Sequence, residues 1–138
     1  MPTMPTPKED NPLWLLRTFY FVPCDLMHQN VNLLKGRAFA DENPENADSQ
    51  EVFISFLLYW LGGLFVVIEG WKSLKITEPT IDKMIDEHWD SLRQFRNAVF
   101  HFQPDDRKHV QFFDLAKFNW AEELHAALRA FFEAQESR

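Results

Sequence analysis

Apolar and polar positions alternate with a helical period along most of the chain. The clearest stretch lies between Thr80 and Phe102, where Ile81, Ile85, Trp89, Leu92, Phe95, Val99 and Phe102 recur at spacings of three and four. At about 100° per residue these positions share one side of a helix and leave the other side polar. Upstream, Val52 to Ile68 reads VFISFLLYWLGGLFVVI without a charge. Such an element is predicted as a central helix buried all round, started by Asp48 and Glu51 at capping-box spacing and running to about Ile76. An earlier helix is expected from Asp10 or Asn11 as cap, with Pro12 in its first turn and its end near Gly36. Pro23 stands inside that helix and is expected to kink or split it. Near the C-terminus, Asn119-Trp120-Ala121-Glu122 has capping-box spacing. It opens a last helix carrying Leu124, Leu128, Phe131 and Phe132. Between the last two long helices, Pro104-Asp105-Asp106 is expected to cap a short one with Val110, Phe113 and Leu115.

These elements predict an all-α fold, an up-and-down bundle of four long helices plus a short fifth. It forms a single domain over residues 11–136 behind a flexible tail at 1–10. Composition agrees, because apolar residues make up 46% of 138 positions and include fourteen Phe and five Trp, enough for a real core. The charge-free run is seventeen residues long, the lower edge of a membrane-spanning length. Glu51 and Glu69 close it and Gly62-Gly63 interrupt it, so a core helix is the expectation and no membrane partner is foreseen.

A formal charge of −7 argues against a protein that coats nucleic acid through its phosphates, while leaving room for a small basic site. Cys24 is the only cysteine, which excludes a disulfide framework and a cysteine-based zinc site and fits a reducing, cytoplasmic setting. Met1 to Pro7 has no apolar run of the kind a signal peptide needs. His28, His88 and His125 lack metal-ligand spacing and are assigned structural or surface roles, so no metal and no cofactor is expected. The tryptophans sit at helical spacing, as core or dimer-interface residues.

One segment carries candidate chemistry, Arg96-Asn97-Ala98-Val99-Phe100-His101-Phe102. Asn97 and His101 are four apart and share a helix face, which Arg93 extends. Arg96 and His101 are five apart, about 140° round an unbroken helix. They converge only if the helix frays near Phe100, or if two chains each contribute a set. Glu69 is a candidate partner for Arg96 or Arg93, orienting the site. Arg107 and Lys108, with Arg93, are candidates for a basic rim that meets a substrate backbone. A purely architectural reading is also open, with Arg96 covering the apolar stripe and Asn97 and His101 finishing the helix C-terminus.

Arg96, Asn97 and His101 give an Arg-x4-His spacing with a polar residue directly after the Arg, late in a helical domain. This resembles the signature of the HEPN superfamily of helical domains, which is Arg, four to six residues, then His. The resemblance covers about Leu13 to Phe132, but its specific part is six residues. It implies a metal-independent endoribonuclease of toxin or defence type, a homodimer whose two motifs meet in a cleft. In that picture His101 is general base or acid on a ribose 2′-hydroxyl. Arg96 binds the scissile phosphate, Asn97 orients its neighbours, and the products are a 2′,3′-cyclic phosphate and a 5′-hydroxyl. Many such domains are inactive and bind a nucleotide or a partner protein, such as an antitoxin, so that alternative stands beside cleavage.

Overall fold

A computed structural model describes residues 11–38, 47–100 and 119–136. The expected short helix, with His101, Arg107 and Lys108, lies outside the described residues. What is described is all-helical, without a strand.

The chain enters through α1 (Pro12–Leu15), whose first turn is closed by Asn11 Oδ1 accepting the Trp14 N–H at 3.1 Å. A π-helical turn (Leu16–Phe21) leads directly into α2 (Val22–Ala38). The expected break at Pro23 is thus not a gap. It is a widened turn one step earlier, in which the Val22 N–H reaches back five residues to the Arg17 carbonyl. Proline lacks an N–H and its ring crowds the carbonyl four residues before it. A wider turn relieves that contact while the chain stays helical.

α3 (Ala47–Ser73) is the longest described element and gives the core its largest share of residues. Trp60, Leu61, Leu64, Val67, Ile68 and Trp71 are all but inaccessible. The expectation of burial all round is corrected on the other side, where Val52, Tyr59 and Val66 are exposed at intervals of seven. Gln50–Ser73 is long and apolar enough to cross a membrane by length and composition, yet half of its apolar eighteen-residue window is buried within the protein. α2 lies along α3, and the π-helical turn before it comes closest where Leu16 meets Gly70: a Cβ on Gly70 would stand 2.4 Å from Leu16 Cδ1. A side chain at this position would have to push the Leu16 methyl aside.

α3 ends with Lys75 in a left-handed conformation (φ 55°) while the Ile76 N–H returns to the Trp71 carbonyl at 3.2 Å. α4 (Pro79–Phe100) begins at once. Glu78 and Asp82 cap it reciprocally: Glu78 Oε2 accepts the Ile81 N–H (2.7 Å) and Asp82 Oδ2 accepts the Glu78 N–H (3.0 Å). Asp82 Oδ1 also accepts the Trp71 indole N–H at 2.8 Å, so one carboxylate ties the new helix to the old. Ile81, Ile85, Leu92 and Phe95 of the expected stripe are buried, and Trp89 is half-buried. The last helix, α5 (Asn119–Glu136), closes the core with Ala121, Leu124, Leu128 and Phe132.

Candidate functional site

Two polar assemblies stand out, one at the foreseen motif and one that the sequence reading missed. The first lies on α4 against α3. Arg96 is about one-third exposed, with its guanidinium carbon 4.6 Å from the centre of the Phe65 ring. Its Nη2 donates to Asn97 Oδ1 at 3.0 Å, and its Nη1 lies 3.8 Å from Glu69 Oε1. Nε is buried and has no hydrogen-bond partner among the described residues. Glu69 therefore faces Arg96, whereas Arg93 points toward Asp90 (3.7 Å) on its own helix. α4 is helical through Phe100, the last described residue of this segment. His101, Arg107 and Lys108 are the members of the motif and rim that fall outside the described residues.

Phe65 is itself packed in a row. Its ring stacks on Trp89 (5.0 Å, 15°), and the Lys72 ammonium sits 4.1 Å from the Trp89 ring centre. Cations thus close both ends of a two-ring stack, each over the negative face of an aromatic system. The row places Arg96 by contacts that do not depend on its carboxylate partner.

The second assembly joins α2, α3 and α5 through Asp25, His28, Trp60, Glu122, His125 and Arg129. Trp60 Nε1 donates to His125 Nδ1 at 3.0 Å. An indole N–H can only donate, so Nδ1 is the acceptor and the ring proton sits on Nε2. From there it is donated to Asp25 Oδ1 at 2.8 Å. The same oxygen accepts Arg129 Nη2 (2.5 Å) and Nε (3.1 Å). Arg129 Nη2 also lies 3.4 Å from His28 Nδ1, which again must accept, leaving His28 Nε2 to donate to Glu122 Oε2 at 2.5 Å. The two imidazoles lie 4.2 Å apart, tilted by 31°. Every ring nitrogen of the two histidines has a hydrogen-bond partner.

The electrostatics follow the geometry. Burial holds the His125 pKa down to about 4, against the opposing hydrogen bond to Asp25. For Asp25, burial alone would raise the pKa, but the hydrogen bonds from His125 and Arg129 and the nearby guanidinium charge bring it below the usual carboxylate value. Cys24, next in sequence, turns its thiol to the Trp60 carbonyl (3.6 Å), and burial pushes its pKa far up. It is a packed thiol and not a nucleophile.

Asp25, His28 and His125 offer donor atoms within 4.8 Å of one another, which invites a divalent metal. The tautomer argues otherwise. A metal-bound histidine keeps a proton on its second nitrogen and donates it outward. Here the second nitrogen of His125 already accepts from Trp60, so coordination through Nε2 would strip the ring of both protons. Arg129 also supplies Asp25 with a cation. The trio does not fit a metal, and among the described residues no nucleophile faces either histidine. The assembly is a part-buried clamp between α2 and α5, carried by residues about one hundred positions apart. A sequence hint did exist: His28 lies between Cys24 and Val31, and His125 between Leu124 and Leu128, each on an apolar face where a polar ring needs a partner. Comparison of the chain with protein-family models, curated proteins and solved structures yields no match, so its family is open and the two assemblies carry the functional argument alone.

Proposed function

We propose that this protein is a HEPN-like, metal-independent endoribonuclease of toxin or defence type, cytoplasmic and homodimeric, in which Arg96, Asn97 and His101 form the cleavage site. The observation that carries the reading is the presentation of Arg96, partly open to solvent beside Asn97 on the last described turns of α4. In this reading the guanidinium binds the scissile phosphate and offsets the charge that builds up on it. His101 removes the 2′-hydroxyl proton so that the oxygen attacks the adjacent phosphorus. The P–O5′ bond breaks, a proton is returned to the leaving oxygen, and a 2′,3′-cyclic phosphate and a 5′-hydroxyl result. Arg93, Arg107 and Lys108 line the approach of the RNA backbone.

A second reading is a non-catalytic HEPN-like module that binds a nucleotide or a partner protein. The contact of Arg96 with Glu69 and the net charge of −7 favour it, because both discourage a polyanion. One assay separates the two. Purified protein is incubated with RNA in the presence of a chelator, beside His101→Ala and Arg96→Ala. The ribonuclease reading expects cleavage by the wild type to cyclic phosphate ends and a loss of at least about a hundred-fold in each variant. Equal RNA stability in all three samples would leave the binding module standing.

A further inference from the structure

The contacts of Arg96 differ sharply in kind. Phe65 is buried and stacked on Trp89, so packing holds the ring beneath the guanidinium in place. Asn97, the next position in the chain, accepts from Arg96 at ordinary hydrogen-bond distance. Glu69 stands apart at 3.8 Å, beyond hydrogen-bond length, with its side chain 47% exposed. A carboxylate so placed adds charge without adding geometry, and an exposed ion pair of this kind is weak and screened. Ring and amide hold the guanidinium; the carboxylate only neutralises it.

We propose that Glu69 is a displaceable counter-ion at an anion site on Arg96, with Phe65 and Trp89 as positioning residues, and that it yields to a phosphate group. This rests on the phosphate-binding role given to Arg96 above and reverses the sign expected of Glu69. An orienting residue strengthens binding, whereas a competing counter-ion weakens it. Glu69 then acts as a selectivity gate. A singly charged carboxylate ligand gains little by displacing it, while a phosphate ester or diphosphate brings enough charge and acceptor oxygens to do so. The neighbouring charges agree: Lys72 lies at the far end of the stack and Asp90 is engaged by Arg93, so among these groups the uncompensated competition at Arg96 comes from Glu69.

The probe is inorganic pyrophosphate, followed on the Arg96 side chain. Arginine labelled with nitrogen-15 gives an Nε–H signal for Arg96, assigned by its absence in Arg96→Lys. Pyrophosphate is titrated into the wild type, Glu69→Gln and Phe65→Leu at constant ionic strength. The expected result is a dissociation constant about five-fold lower in Glu69→Gln, as removal of one exposed competing charge predicts. In Phe65→Leu it should be higher, because the guanidinium loses its fixed platform. An unchanged or weaker affinity in Glu69→Gln overturns the counter-ion role, and this surface change leaves the core intact. If pyrophosphate moves the Arg96 signal in no variant, the anion site and the phosphate role of Arg96 fall together. If it moves as expected while RNA is never cleaved, only the ribonuclease reading falls.

Discussion

At the scale of single residues, His125 shows how a proton position is set by a neighbour that can only donate. Trp60 fixes Nδ1 as acceptor, Asp25 takes the Nε2 proton, and full burial keeps the ring neutral. Taking away the indole donor while keeping an aromatic ring, as in Trp60→Phe, removes the obstacle to a proton on Nδ1. An imidazolium could then pair with Asp25, so the His125 pKa should rise from about 4 toward the ordinary value of about 6.5. The same change strands an acceptor and opens a small cavity in the core, and should cost about 2–4 kcal/mol. Proton NMR of the His125 ring through a pH titration checks the first point and a urea midpoint the second. A ring that keeps its wild-type midpoint in Trp60→Phe would show that burial acts alone.

At the scale of elements, the sequence was readable where local rules decide. Ile81, Ile85, Leu92 and Phe95 are buried as their spacing implies, and the expected last helix is present over Asn119–Glu136. Legibility failed where partners are distant or geometry is irregular. No local signal joins His28 to Glu122 or Asp25 to Arg129, because each pair meets only after α5 has docked on α2. The π-helical turn ahead of Pro23 is one of several ways to relieve a proline, and sequence alone does not choose among them. For the candidate site, Arg96, Asn97 and Glu69 were found by pattern, but Phe65 and Trp89 read simply as core residues. The α3 terminus offers a direct test of such local rules. Lys75 adopts a left-handed backbone, where a side chain costs energy that glycine avoids. Lys75→Gly should therefore stabilise the protein by roughly 0.5–1 kcal/mol, despite the greater freedom glycine has when unfolded. A lower denaturation midpoint would mean that the Lys75 side chain contributes more than its backbone costs.

At the scale of the whole molecule, the part-buried clamp couples folding to pH, and the sign follows from which state holds the proton. His125 in the unfolded chain takes up a proton near pH 6.5, whereas in the folded protein it does so only near pH 4. The stabilisation is fully present above about pH 6.5 and is lost progressively as the pH falls toward 4, since the unfolded state then binds the extra proton. A difference of this size corresponds to roughly 3 kcal/mol, a large part of the 5–15 kcal/mol typical of a domain. Asp25, whose folded pKa is lowered, withholds its own contribution only at more acid pH, as its carboxylate is finally protonated. The two losses therefore come in order, first the imidazole and then the carboxylate. Urea denaturation measured at intervals between pH 7.5 and 4.5 should show the wild type losing stability across this window. His125→Gln, although less stable at neutral pH, should lose distinctly less. Other acidic groups titrate in both proteins and cancel in the difference between them. Parallel curves would mean that acid acts elsewhere and that the clamp between α2 and α5 is not what pH unlocks.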